Sequence, residues 1–167
     1  MTYTIATPEE MREFGRALSG LLAPGDLVLI HGSLGAGKTT LAQGIGEGLG
    51  VAGHISSPTF IIARSHQNPS CGPGLVHVDA YRLGSFDELD ALDLDTSLGE
   101  AVTVVEWGEG IAEVLSDDRI EIEIDRPKGG LAADDTEVVD DAKRHLRVTV
   151  HGDRWRGVDL DPLGAWA

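Results

Sequence analysis

The sequence predicts an α/β fold in three layers: a mostly parallel central sheet flanked by helices, with antiparallel strands at one side. Three observations predict it. The apolar run Leu27-Val28-Leu29-Ile30 leads through a glycine-rich stretch into Leu41, Ile45 and Leu49 at helical spacing. Two more apolar runs, Leu75 to Val78 and Ala101 to Val105, each end in a carboxylate, Asp79 and Glu106, where ligands of open α/β sheets bind. Finally, Arg119 to Asp125 and His145 to His151 alternate apolar and polar residues, as an antiparallel pair does.

Taken in order, Thr7-Pro8-Glu9-Glu10 reads as a helix start, with Thr7 as N-cap, Pro8 in the first turn and Glu10 completing a capping box. Met11, Phe14, Leu18, Leu21 and Leu22 continue that helix as one apolar stripe, and Pro24-Gly25-Asp26 ends it. The next helix carries Gly44, Gly46 and Gly48 inside it and Gly50 at its C-terminal cap. The inner glycines read equally well as close packing and as compositional bias. A Ser57-Pro58-Thr59-Phe60 segment then leads into a strand through Ile61, Ile62 and Ala63, and a polar loop from His66 to Gly74 follows. Phe86, Leu89 and Leu92 suggest a short helix, as do Ile111, Val114 and Leu115. The expected domain spans 1–151, with a flexible acidic loop at 126–143 and an irregular tail at 152–167 whose Trp155 and Trp166 are available for packing or docking.

Composition narrows the function. The chain has 167 residues, 41% of them hydrophobic, enough for one well-cored domain. Thirteen basic against 28 acidic residues give a net charge of −15, which argues against broad nucleic-acid binding by this chain itself. Cys71 is the single cysteine, so neither an internal disulfide nor a cysteine-based metal cluster is available. The N-terminus lacks the pattern of a secretory signal, and no apolar run approaches the roughly 18 residues of a membrane span. A cytoplasmic protein with no membrane association is the expectation.

The chemistry centres on Gly32-Ser33-Leu34-Gly35-Ala36-Gly37-Lys38-Thr39. Glycine, four residues, then Gly-Lys-Thr, set between a strand and a helix, is the pattern of a phosphate-binding P-loop. Its backbone N–H groups converge on phosphate oxygens, assisted by the positive end of the following helix. Leu34, Gly35, Ala36, Gly37, Lys38, Thr39 and Thr40 are therefore the expected nucleotide-binding residues. Lys38 is placed to reach the β- and γ-phosphates and the Thr39 hydroxyl to hold Mg²⁺. The predicted fold is thus P-loop NTPase-like, with ATP and Mg²⁺ as its ligands. P-loop proteins add an acidic residue from a neighbouring strand end, and both Asp79 and Glu106 qualify. Spacing does not divide their roles. Trp107 reads as core or as a neighbour of the nucleotide, and Arg82 as a cation for transition-state charge or a partner of nearby acids. His31, His54 and His77 have no metal-like spacing and read as structural or exposed. No Asn-Lys-x-Asp stands for guanine selection, and Asp161 to Gly164, an Asp-x-x-Gly, lies in the tail, so GTPase activity is not expected.

The P-loop with Thr40-Leu41, then Ser57-Pro58-Thr59-Phe60, His77-Val78-Asp79-Ala80-Tyr81-Arg82-Leu83 and Val105-Glu106-Trp107, in this order and spacing, together resemble the bacterial TsaE (YjeE) family. The resemblance covers roughly residues 5 to 125, and the strand at 145–151 fits its C-terminal end. It implies a small P-loop ATPase needed to form N6-threonylcarbamoyladenosine (t6A) in tRNAs reading codons that begin with A. It also implies TsaB and TsaD as partners, with tRNA met only through them and ATP hydrolysis resetting their transferase complex. By matching position it makes Lys38 a phosphate ligand, Thr39 and Glu106 the Mg²⁺ ligands and Asp79 a catalytic or water-positioning acid. Ser57 to Phe60 becomes a switch-like segment and Trp107 a neighbour of the nucleotide. Gly108 after Trp107, the loop at 126–143 and the tail depart from the family pattern. Two other functions fit the residues less well: a small-molecule kinase, for which an arginine-rich lid is missing, and a nucleotide-sensing adaptor with little turnover.

Overall fold

The computed structural model describes residues 1–56, 62–92, 94, 99–126 and 143–167. The Ser57 to Phe60 segment, Ile61 and nearly all of the 126–143 loop lie outside the described residues.

Seven strands form one sheet: β1 (Thr2–Ile5), β2 (Leu27–Gly32), β3 (Ala63–His66), β4 (Gly74–Asp79), β5 (Ala101–Glu106), β6 (Arg119–Asp125) and β7 (Arg144–His151). Their spatial order is β1-β7-β6-β2-β5-β4-β3. The four central strands, β6, β2, β5 and β4, are parallel. The expected antiparallel β6–β7 pair stands beside them, and two further antiparallel strands, β1 and β3, close the two edges.

Apolar residues on both faces of the central strands require cover on both sides. Val28, Ile30, Val102, Val104, Ile120 and Ile122 pack with Met11, Phe14, Leu41 and Ile45 of helices α1 (Pro8–Ser19) and α2 (Lys38–Leu49). The alternate residues Leu27, Leu29, Val76, Val78 and Val105 pack with Leu89 of α3 (Phe86–Asp90), Leu94 and Ala112. Burying each such side chain contributes roughly 1.5–3 kcal/mol.

Local chemistry sets the helix ends. Thr7 Oγ1 accepts from the Glu10 N–H at 3.1 Å, and the Glu10 carboxylate accepts from the Ala6 N–H at 2.6 Å, one residue before the cap. Gly50, left-handed, ends α2 as expected. The inner glycines of α2 serve packing: a Cβ on Gly44 would collide with the backbone of Arg12, and one on the facing Gly15 would lie 2.7 Å from the Leu41 carbonyl. Bare backbone at this crossing lets α1 and α2 approach closely.

Two expectations need correction. The strand placed at residues 61–63 begins at Ala63 and runs to His66. Ile62 is left-handed, at φ 65°, and its carbonyl accepts from the Asp79 N–H at 2.8 Å. The helix expected around Ile111 to Leu115 is one 3₁₀ turn, Glu113–Leu115, with Val114 66% exposed. The residues after β7 form two 3₁₀ turns, Asp153–Trp155 and Asp161–Trp166. They bury Trp155 and Leu163 and set the Trp166 ring edge-on to Phe14. Among the described residues, no helix is long and apolar enough to cross a membrane.

Candidate nucleotide site

The loop between β2 and α2 is shaped by its own backbone. The Ala36 N–H donates to the Ser33 carbonyl at 3.1 Å, and Gly37, at φ +112°, turns the chain into α2 in a conformation a side chain would strain. Gly37 offers no side-chain cap, so the N–H groups opening α2 remain available to an anion.

Register delivers the acids. Asp79 and Glu106 are directly paired at the ends of β4 and β5. Alternation puts Leu75, His77 and Asp79, and likewise Val102, Val104 and Glu106, on the face that carries α2. Both carboxylates are buried. Asp79 Oδ1 accepts from the Tyr81 N–H at 3.0 Å, capping the 3₁₀ turn Ala80–Arg82. Glu106 is held at both oxygens: Oε2 accepts from the Thr39 hydroxyl at 3.1 Å, and Oε1 lies 2.8 Å from His77 Nε2.

Lys38 is buried beneath the loop. Its ammonium donates to the Gly32 and Ser33 carbonyls, each at 2.8 Å, and lies over the Trp107 ring. Burial pushes its pKa below the ordinary lysine value, opposed by the negative charges of Glu106 and Asp79. Trp107 occupies the left-handed region at φ 62°, a strained backbone for a bulky residue, and its ring meets Tyr81 edge-on at 5.1 Å.

One cleft of about 440 Å³ is lined by Leu34, Gly35, Gly37, Lys38, Thr39, Thr40, Asp79, Tyr81, Glu106 and Trp107. It gathers the expected nucleotide-binding residues, both strand-end acids and Trp107, all except Ala36. The Ala36 side chain is buried under the loop, while its carbonyl accepts from Arg144 Nε at 3.1 Å. Arg82 and His54 are exposed outside the cleft. A larger groove of about 600 Å³ lies over the polar face of β6 and β7. Glu109, Glu113, Glu121, Glu123 and Asp125 line it against one cation, Arg147, so its acidic wall suits phosphates less well than the smaller cleft with Lys38.

Sequence reasoning missed three contributors. His77, read as structural or exposed, is fully buried against Glu106. Tyr81 lines the cleft, and Arg144 reaches the loop across 108 residues of sequence. His77 and Tyr81 stand in the motif quoted above without a role attached, and no local pattern marks Arg144, whose partner lies in the distant loop.

A largely parallel sheet whose strand–loop–helix unit places Lys38 and Thr39 beside the carboxylate of a neighbouring strand defines a P-loop NTPase-like domain. The family model described as "Threonylcarbamoyl adenosine biosynthesis protein TsaE" matches residues 5–132. Over 154 residues the chain is 54% identical to the tRNA threonylcarbamoyladenosine biosynthesis protein TsaE of Streptomyces coelicolor, covering 92% of this chain and 99% of that one. It is 35% identical over 156 residues to the protein of the same name from Bacillus subtilis, covering 93% and 89%. The crystal structure of YdiB from Bacillus subtilis superposes with a TM-score of 0.70 at 29% identity, covering 99% of this chain and 94% of that one. The chain belongs to the TsaE family, whose role is in tRNA threonylcarbamoyladenosine biosynthesis.

Proposed function

We propose that this protein is the Mg²⁺-dependent ATPase subunit of the t6A machinery, acting in the cytoplasm with TsaB and TsaD and meeting tRNA only through them. The observation that carries this reading is the 3.1 Å contact between the Thr39 hydroxyl and Glu106 at the mouth of the Lys38 loop. A hydroxyl and a carboxylate oxygen side by side form the hard-oxygen donor set that suits Mg²⁺. Thr39 and Glu106 would hold the ion, which would offset the negative charge of the phosphates.

The remaining residues bind and orient. The loop N–H groups cradle the phosphates, and Lys38 exchanges its carbonyl partners for β- and γ-phosphate oxygens. Asp79, buried and in register with Glu106, orients the water that attacks the γ-phosphate in line. Trp107 and Tyr81 wall the cleft. Partner dependence is supported by the apolar rim, where Leu34 is 86% and Tyr81 65% exposed, and by the −15 charge, which suits a subunit whose partners hold the tRNA.

The test is steady-state ATP hydrolysis by the purified chain with Mg²⁺, with EDTA, and in Lys38→Ala. Slow turnover that requires both Mg²⁺ and Lys38 supports the reading. Turnover indifferent to either contradicts it.

A further inference from the structure

We infer that His77 is a positioning residue: it anchors one oxygen of the Glu106 carboxylate so that the other faces Thr39 and the metal. This rests on the reading of Thr39 and Glu106 as the Mg²⁺ pair.

His77 is 0% exposed, in the middle of β4, and its apolar neighbours on the strand are Leu75, Val76 and Val78. An apolar side chain would suit that position at least as well for packing. The ring nevertheless brings Nε2 to 2.8 Å from Glu106 Oε1. Its other nitrogen, Nδ1, is buried with no hydrogen-bond partner among the described residues. The polar contact that places this ring among the described residues is therefore the one to Glu106. An ionised carboxylate only accepts hydrogen bonds, so the contact assigns the ring proton to Nε2.

The contact is also directional. Glu106 has three rotatable side-chain bonds, and its carboxylate could turn away from Thr39. With Oε1 held by His77 on the strand side, Oε2 is left 3.1 Å from the Thr39 hydroxyl on the α2 side. The two contacts together fix the plane of the carboxylate. Residues that orient a metal-binding carboxylate in this way are worth about 10- to 100-fold in metal affinity.

The experiment is calorimetric titration of ADP into the wild type, His77→Leu and His77→Gln, each with and without Mg²⁺. Gln is chosen because its amide reaches about as far as the Nε2–H, whereas Leu fills the space without a donor. The expected result is that Mg²⁺ tightens ADP binding to the wild type and that His77→Leu loses about 10-fold or more of that gain. His77→Gln keeps most of it, and ADP affinity without Mg²⁺ stays the same in all three. A His77→Leu protein with the full Mg²⁺ gain overturns the inference. A wild type that gains nothing from Mg²⁺ overturns the metal reading beneath it and the inference with it. Should His77→Leu fail to fold, nitrogen-15 spectra of the wild-type ring decide instead. A proton on Nε2 with slowed solvent exchange is expected, and a proton on Nδ1 alone overturns the inference.

Discussion

The Lys38 ammonium stands 3.6 Å above the centroid of the Trp107 ring. The same nitrogen is tied to the Gly32 and Ser33 carbonyls, so the lysine proposed to bind phosphate is held by its own chain. A desolvated cation over an indole gains about 2 kcal/mol or more, and a nucleotide bound as proposed would displace or share that arrangement.

Nucleotide binding should therefore change the fluorescence of Trp107. ATP or ADP added to the wild type is expected to shift its emission. Trp107→Phe should abolish the response even though Trp155 and Trp166 remain. An unchanged response in that variant would place the signal at Trp155 or Trp166 and contradict this prediction.

Gly44→Ala should destabilise the protein. Alanine gains about 1 kcal/mol of helix propensity over glycine, but overpacking typically costs about 1–3 kcal/mol. At Gly44 the obstacle is the backbone of Arg12, which cannot rotate away. Thermal unfolding should show Tm lowered by a few degrees. A raised Tm would mean that helix propensity, not the close crossing, decides this position.

His66 should make stability depend on pH. Burial pushes its pKa below the ordinary value, outweighing the bond to the Ala52 carbonyl that raises it, and Nε2 is buried without a partner among the described residues. As pH falls through about 6.5, the unfolded chain takes up this proton first. Stability is thus full above that pH and declines below it. His66→Asn keeps a donor toward Ala52 but does not titrate, so its stability should fall less between pH 7 and 5 in urea titrations. Parallel curves for the two proteins would refute this.

Removing residues 152–167 should destabilise the domain. Trp155 and Leu163 are buried, Trp166 covers Phe14, and Arg154 donates to the Leu21 carbonyl and to the buried Asp26 carboxylate. Losing two large buried side chains alone removes about 3 kcal/mol or more. Urea unfolding of the truncated chain should show a clearly lower midpoint, and an unchanged midpoint would make the tail dispensable for folding.

What was legible in the sequence was what local pattern encodes. β2, the P-loop and α2 are contiguous, and β6 and β7 show period-two alternation that survives in the sheet. What was not legible depends on distant pairing. β1 is only Thr-Tyr-Thr-Ile and exists through β7, whose Arg144 to Arg147 it faces. β3 is an edge strand with Arg64 and Ser65 exposed, so it lacks an apolar signal, and the apolar Ile62 just before it is left-handed instead. His77 looked incidental because Glu106 lies 29 residues away, on the neighbouring strand. The strand-end carboxylates themselves were visible, and sheet register rather than sequence spacing brings them together.

The measurement that tests the central claim most directly is ATP hydrolysis by this protein alone and then with TsaB, TsaD and substrate tRNA. The account predicts slow turnover alone, marked stimulation by the partners, and loss of both in Lys38→Ala. Turnover that ignores the partners but rises with a small-molecule acceptor that becomes phosphorylated would contradict it. Tight ATP binding with no turnover under any of these conditions would contradict it as well.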